Sequence, residues 1–434
     1  MQTLGLDIGT TSISAVVFEE GNGVLTARTL KNDSFLEGEA WERIQDPLKI
    51  QNTAIDLVSE LLTAFPNIRA IGVTGQMHGI LYLNDLGEPV SPLYIWQDGR
   101  GNLPYNESIS WAEYLSEITG YPLSTGYGLV THAYNLQHGL VPETAAKLCT
   151  IHDYLAMVLA GNTTPATDPT DAASLGLYDL PQQQFDLAAL QKVGIDPGIL
   201  PQIPADPCLG SGDFGVPVFT AIGDNQASFL GATGGRKDIM LVNMGTGGQI
   251  SVFSSDYLET DTLETRPFPD GGWLLVGASL CGGRSYALLE AFFRETVKMV
   301  TGEECSAYDA MERMLEQSNT SADLPQVCTL FQGSRKEPGL RGAITGLIPE
   351  NFTPLHLTLG LMQGMAEELY SMYEGFLAKG GKQPAAIIGS GNGLRRNKHL
   401  CRAFERVFGY PLSLSPYQEE AACGAAIYAA KHCI

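Results

Sequence analysis

The sequence predicts an α/β protein of two related domains, and three observations carry that expectation. Glycine clusters directly follow apolar runs in IGVTGQMHG, LVNMGTGG, VGASLCGG and IIGSGNG. An α/β sheet uses this strand–turn–helix pattern to place ligand loops at the carboxyl ends of its strands. Three elements then recur in the same order in both halves of the chain. Finally, 434 residues exceed what a single hydrophobic core ordinarily organises.

The first recurring element is QTLGLDIGTTSISAV at positions 2–16, matched by MLVNMGTGGQISV at 240–252. Each has an apolar run, a polar residue, one more apolar residue, Gly-Thr, and a return to alternating apolar positions, so Asp7 corresponds to Asn243. The second pair is AIGVTGQ (70–76) and AIIGSGN (386–392). The third is IGDNQASFLGA (222–232) and EEAACGAAIY (419–428), each a turn leading into a helix of small residues. The repeat divides the chain near 233–238, giving domains over residues 1–234 and 235–434. Helical periodicity is expected over Pro47–Phe65, Ser285–Thr301, Ala307–Gln317, His356–Leu377, Leu400–Phe408 and Ala421–Lys431.

A formal net charge of −22 argues against nucleic acid and anionic membrane as partners. Any phosphate must then be held by backbone amides and a metal ion, not by a basic field. No apolar run reaches the roughly 18 residues of a membrane span. An apolar strand pattern begins at Thr3 with no basic segment before it, so no secretory signal is expected. The eight cysteines are scattered without a C-x-x-C pair, which suggests reduced thiols in a cytoplasmic protein.

In DIGTTS, Gly9 lets the backbone turn closely, and the following amides and hydroxyls can point at a phosphate oxygen. Asp7 sits at the strand end, where a carboxylate can hold the water shell of Mg²⁺. The same residues fit a plain β-hairpin with an Asp side-chain turn. MGTGG supplies a second cradle of this kind. If both grip one polyphosphate, a second carboxylate would only repel it, and Asn243 keeps the shape without the charge; simple drift would leave the same residue. The G-x-x-x-x-G-K-[ST], G-x-G-x-x-G and H-E-x-x-H patterns are all missing.

GQMHG and WQDGR suit a neutral polyol. Gln76, His78 and Asp98 offer donors and acceptors, while Met77 and Trp96 offer apolar faces. Arg100 is the only cationic side chain between Ala70 and Arg100, so an unphosphorylated acceptor is expected. His78 and Trp96 fit equally well as core residues with satisfied nitrogens.

DIGTT, MGTGG and GSGNGLRRN, in that order, resemble the phosphate and adenosine loops of the sugar kinase, actin and heat-shock chaperone superfamily. GDNQASFLGA resembles the segment that ends the first domain of the FGGY carbohydrate kinases. GVTGQMHGILY, PLYIWQDGRG, TGYG, TIHDYLAMVLAG, DAASLGLYD and GSRKEPGLRG are most similar to the members of that family that act on the seven-carbon ketose sedoheptulose. The likeness covers nearly the whole chain.

It implies two ribonuclease-H-like (actin-like ATPase) domains with an interdomain cleft, and phosphoryl transfer from ATP with Mg²⁺ to a terminal ketose hydroxyl. Asp224 matches the family's catalytic base; it also suits a helix N-cap ahead of NQASFLGA. Asp7 matches the carboxylate near Mg²⁺. Thr10, Thr11, Gly245 and Thr246 match phosphate-loop positions, and Gly389, Ser390, Gly391 and Asn392 match the adenosine loop. Gln76, Met77, His78 and Asp98 match positions facing the sugar.

Rival readings are a kinase for xylulose, ribulose or another short ketose, and an ATP-switched binding protein. The latter needs a peptide-binding domain for which the chain has no room. A homodimer is left open. Two features depart from the family pattern: Ser334 stands where Glu is usual, and the chain is compact.

Overall fold

The computed structural model describes residues 1–317, 323–334 and 337–433, which fall into two compact units. The first holds Met1–Gly235, Arg266–Gly272 and the segment from Tyr417 onward. The second holds Arg236–Thr265 and Trp273–Pro416.

In the first unit, β1 (Gln2–Ile8) and β2 (Ser12–Glu19) form an antiparallel hairpin that continues antiparallel into β3 (Gly23–Lys31). Helix α1 (Pro47–Ala64) starts where Asp46 accepts hydrogen bonds from Leu48 N and Lys49 N, with proline in its first turn. It leads to β4 (Ile68–Gly75), which pairs parallel with β1. Beyond β4 lie α2 (Ile151–Leu159), α3 (Pro169–Leu175), β5 (Cys208–Gly210), β6 (Val218–Phe219) and β7 (Ile222–Gly223). The sheet order is β5-β6-β4-β1-β2-β3, with β7 also running parallel to β4.

The faces of β1 follow the two-residue period of a strand. Leu4, Leu6 and Ile8 join Ile50, Leu57, Leu61 and Leu155 in the core beneath α1 and α2. The opposite face carries Thr3 and Gly5, and there the C-terminal helix (Glu420–His432) lies on the sheet. Thr3 Oγ1 donates to Ala426 O at 3.0 Å. A Cβ on Gly5 would stand 1.8 Å from Ala422 O, and one on Gly72 2.0 Å from Ala425 O. The same helix packs on α4 (Asp224–Thr233) through Gly231 and Gly424, whose added Cβ atoms would meet Glu420 O at 1.9 Å and Ala227 O at 1.8 Å. The two small-residue helices of the sequence repeat therefore pack on each other.

A second cluster in this unit joins Ile80, Tyr82 and Tyr94 to Leu115 and Leu129, on helices Trp111–Thr119 and Gly128–Gln137.

The second unit repeats the pattern. β8 (Ile239–Met244) pairs antiparallel with β9 (Gly248–Ser254), which pairs antiparallel with β10 (Trp273–Ser279). Helices α5 (Gly282–Thr301), α6 (Tyr308–Glu316) and α7 (Pro354–Ala378) follow, then β11 (Ala386–Ser390), parallel to β8. The short α8 (Gly391–Arg396), α9 (Lys398–Phe408) and β12 (Leu412–Leu414), parallel to β11, complete it. The path β12-β11-β8-β9-β10 matches β6-β4-β1-β2-β3 strand for strand, the arrangement expected of paired ribonuclease-H-like domains. All six helices read from periodicity are present.

The contact between α4 and the C-terminal helix generates a prediction. Gly424→Ala forces a methyl group into Ala227 O, and overpacking of this kind costs about 1–3 kcal/mol. The unfolding midpoint of the variant falls below that of the parent in a denaturant titration; an unchanged midpoint would mean that the helix pair separates without cost.

Candidate active site

β1, β4 and β7 bring their carboxyl ends to one level. Ile8 and Gly223 are both register partners of Gly75, and Asp7 and Ile222 are both partners of Thr74. From this level emerge the turn 9–12, the segment Gln76–His78 and Asp224 at the start of α4. Thr74 Oγ1 donates to Ile222 O at 2.6 Å and ties the outer strand to the central one. Asn32 Nδ2 donates to Gly9 O at 2.9 Å and holds the turn from outside.

Asp7 and Asp224 are both half-buried. Burial first, then the charges of Asp224 and Glu419, push the Asp7 carboxyl up to about 7. Asp224 is also raised by burial, opposed by an Asn225 hydrogen bond and the charges of Arg266 and His152. No hydrogen bond from the described residues reaches the Asp7 carboxylate. No cluster of three or more metal-ligating side chains occurs among the described residues, so the Asp7 carboxylate, with no protein donor, is the single protein oxygen group here that could meet a hydrated divalent cation.

Behind Asp224, Gly223 N donates to Thr170 Oγ1 at 3.1 Å, and Thr170 Oγ1 donates to Asp168 Oδ1 at 2.7 Å. His152 Nε2 and Asp171 Oδ2 are 2.6 Å apart, with both side chains fully buried. Burial, Asp168 and Asp224 push Asp171 well above the usual carboxylate range, while burial lowers His152. Sequence reasoning missed this support: Thr170 and His152 lie in α3 and α2, and only the fold brings them beneath Asp224.

The expected sugar-facing residues take different positions. Met77 is buried against Gly223, where an added Cβ would meet its Cε at 2.7 Å. His78 has φ 73°, a left-handed backbone rare for a side chain of its size. It is held there by Ser174, whose Oγ accepts from His78 N at 3.2 Å and whose carbonyl meets Nδ1 at 2.7 Å. The His78 ring stacks on Tyr127 at 4.7 Å. Because a carbonyl only accepts, Nδ1 carries a proton in this contact.

Gln76 is buried and bridges Thr10 Oγ1 and Gln45. Asp98 is fully buried and turned toward Arg100. Its Oδ1 accepts from Arg100 N and Nε (3.1 and 2.6 Å), and its Oδ2 from Arg100 Nη2 and Arg43 N (3.2 and 3.1 Å). Asp98 thus fixes an arginine packed over the Tyr94 ring at 4.2 Å.

The second unit holds a cavity of about 880 Å³, lined by residues of the β8–β9 turn, α5, α6, α8 and α9. Gly245 and Thr246 form one wall and Gly391 and Asn392 another. Gly389 and Ser390 lie behind, with Ser390 Oγ accepting from Asn243 Nδ2 at 2.8 Å. Gly391 has φ 80°, and a Cβ there would stand 2.6 Å from Met244 O. The turn is stitched to α5 by Gly283 N to Gly245 O and Arg284 N to Thr246 O, both 3.0 Å. Tyr286, Leu315 and Met365 give apolar surface, and Arg284, Arg396 and Lys398 give positive charge. The volume lies in the range of small-molecule sites, and close backbone with flat aromatic surface suits a nucleotide. Arg284 follows the CGG cluster flagged in the sequence; Tyr286 and Lys398 carried no signal. In the GSRKEP segment, Ser334 Oγ accepts from Glu337 N at 2.9 Å, while Arg335 and Lys336 lie outside the described residues.

Two units of one strand order, each with a glycine turn between its first strands, define the two-domain actin-like ATPase class of sugar kinases. A family model of the FGGY family of carbohydrate kinases, N-terminal domain, matches residues 2–231, and one of the C-terminal domain matches residues 240–433. The chain belongs to the FGGY family of carbohydrate kinases.

Sedoheptulokinase of Mus musculus is 30% identical over 98% of this chain and 96% of its own length. Xylulose kinase of Streptomyces rubiginosus is 27% identical over 64% of this chain and 60% of its own. Among solved structures, a "xyloylose kinase" from Brucella ovis superposes with a TM-score of 0.83 at 20% identity, covering 100% of this chain and 90% of that one. No helix among the described residues is long and apolar enough to cross a membrane.

The buried carboxylates set a pH dependence. Asp153 is fully buried, and burial followed by the Asp171 charge pushes its carboxyl up to about 8. Unfolded, it titrates near the ordinary value of about 3.9. The folded chain therefore binds this proton more tightly, and stability falls as pH rises from about 4 toward 8. Asp153→Asn removes this loss. Thermal midpoints of the variant should exceed the parent's most at alkaline pH, with the gap narrowing toward about pH 4; a constant gap would remove Asp153 as its source.

Proposed function

We propose that this protein is an ATP-dependent kinase that phosphorylates the terminal hydroxyl of a ketose, converting sedoheptulose to sedoheptulose 7-phosphate in the cytoplasm. The observation that carries the chemistry is Asp224, half-buried at a strand-to-helix turn with its carboxyl raised, beside Asp7 and Met77. Support for the seven-carbon sugar is the similarity to sedoheptulokinase along almost the full length of both chains.

In this reading the Asp224 carboxylate accepts the proton of the attacking hydroxyl. An Asp is a weak base toward an alcohol, and its raised pKa moves it toward working pH. A loose phosphoryl transition state asks for little more, because positioning then dominates. Met77 closes the apolar side, and His78 borders the sugar. Gly245 and Thr246 face the phosphates, and Gly391 and Asn392 face the nucleoside. Thr11, exposed at the turn of the first unit, offers a hydroxyl to a phosphate oxygen. Asp7 would hold Mg²⁺, which would supply positive charge for phosphate in a protein whose net charge is −22.

A xylulose kinase is the second reading, favoured by the partial similarity to the Streptomyces rubiginosus enzyme. Pocket contacts often separate such sugars by only about 1–3 kcal/mol. ATP-consumption assays with Mg²⁺ across sedoheptulose, xylulose, ribulose, fructose, glycerol and erythritol decide between them. Sedoheptulose is expected to give the highest kcat/KM, and no turnover with any sugar would end the kinase reading. Asp224→Asn should lower kcat at least about a hundredfold, the range for general base catalysis, with ATP affinity little changed. Near-normal turnover would remove Asp224 from the mechanism.

A further inference from the structure

Asp224 hangs from a single peptide unit at the end of β7, the one that joins Ile222 to Gly223. This peptide is trans, so its C=O and N–H point to opposite sides. Each meets a threonine hydroxyl. On one side Thr74 Oγ1 donates to Ile222 O at 2.6 Å, and on the other Gly223 N donates to Thr170 Oγ1 at 3.1 Å. Thr74 is 0% and Thr170 1% exposed, so neither hydroxyl is open to a ligand.

The Thr170 side has a fixed direction. Asp168 Oδ1 accepts from Thr170 Oγ1 at 2.7 Å and from Thr170 N at 2.9 Å, as the N-cap of α3. A hydroxyl has one proton, and here it goes to the carboxyl; the lone pairs are left for Gly223 N. Donating to Asp168 also polarises the hydroxyl and strengthens it as an acceptor. Serine could play the same part. Valine, of nearly the same shape, could not.

The Asp224 carboxylate has little else to hold it. Among the described residues its hydrogen bonds come from Asn225 alone, whose Nδ2 lies 2.8 Å from Oδ1. That residue is its chain neighbour and travels with it. Gly223, which leads the strand into α4, adds no side chain to limit its own dihedrals. The position of the carboxylate is therefore set through the backbone.

We infer that Thr170, with Thr74 opposite it, is a positioning residue for Asp224: the two hydroxyls clamp both edges of the peptide that carries the base, and neither touches substrate. This rests on the reading of Asp224 as the base.

The test measures kcat, the sedoheptulose KM and, by calorimetry, ATP affinity for Thr170→Val and Thr170→Ser, each alone and in the Asp224→Asn background. Misplacing a catalytic group by about 1 Å can cost about a hundredfold. Thr170→Val should lower kcat at least about tenfold, with sedoheptulose KM and ATP affinity within about twofold. Thr170→Ser should stay within about threefold of the parent, because it keeps the hydroxyl. In Asp224→Asn, adding Thr170→Val should change kcat by less than about twofold, since a residue that acts through the base has nothing left to position. Thr74→Val should lower kcat in the same way from the other edge. Should Thr170→Val not fold, Thr170→Ala is read in its place.

Parental kcat in Thr170→Val would overturn the assignment. So would a loss that recurs in full in the Asp224→Asn background, or one shared equally by kcat and both affinities, since either reduces Thr170 to a structural residue. Near-normal turnover of Asp224→Asn by itself overturns the reading of Asp224 as base, and the positioning role falls with it. The two failures are told apart by which single variant keeps its activity.

Discussion

Three parallel strand ends set at one level are the constraint on which the first unit's site depends. Gly75 at the end of the central strand has Ile8 on one side and Gly223 on the other. The turn with Thr10, the Gln76–His78 segment and Asp224 are each the next residues along their strands. A slip of one residue in either pairing would turn the outgoing side chains to the opposite face of the sheet. The fold guards the register with small residues and a side-chain clamp. A Cβ on Gly75 would stand 2.8 Å from Ile8 O, and the Thr74 hydroxyl is committed to Ile222 O. Large apolar groups on one face and glycines on the other fix which face the helices take.

That level also gathers negative charge. The charges of Asp224 and Glu419 act on Asp7, and Asp168, Asp171 and Asp153 lie in buried surroundings behind it. Burial disfavours ionised carboxylates, and neighbouring ones disfavour each other, so the carboxyls of Asp7, Asp224, Asp168, Asp171 and Asp153 are all raised. Such crowding is a poor way to stabilise a fold and a common way to make a reactive one. His152 and Arg266 offset part of it at Asp224. The second unit's cavity differs, with Arg284, Arg396 and Lys398 beside Glu312 around its glycine walls in a protein whose net charge is −22.

The legible parts of this architecture were those that write a period into the sequence. The duplicated hairpin, the parallel strand after it and the six amphipathic helices could be read directly because one face of each is apolar. Gly128–Gln137 could not, since it is buried nearly all round and carries no polar stripe. Site residues were legible where they stand beside a glycine turn, as Asp7, Thr246 and Gly391 do. Asp98 shows the limit of that reading. A carboxylate in a ligand-facing segment looks the same in sequence whether it meets a sugar or a buried guanidinium, and here it meets Arg100. Gln45 and Thr170 carry no local signal, because their partners are supplied by strands and helices distant in the chain.

The contrast between Asp7 and Asn243 follows from the same geometry. Each is the penultimate residue of its first strand, and each lies opposite a hydroxyl residue on the parallel neighbour: Thr74 for Asp7, Ser390 for Asn243. In the second unit Asn243 donates to Ser390 Oγ, a bond that holds the glycine turn against the strand behind the cavity. A carboxylate has no proton to donate and could join Ser390 only by accepting the hydroxyl's hydrogen bond, leaving a charge beside the glycine turn. In the first unit the equivalent hydroxyl is already committed to Ile222, so nothing there needs a donor at position 7. Asp7 keeps its carboxyl group with no hydrogen bond from the described residues. Drift of one copy would not predict that the retained carboxyl is the one without a hydrogen-bond partner; a division of labour, with the amide committed to structure and the carboxyl left unengaged, does.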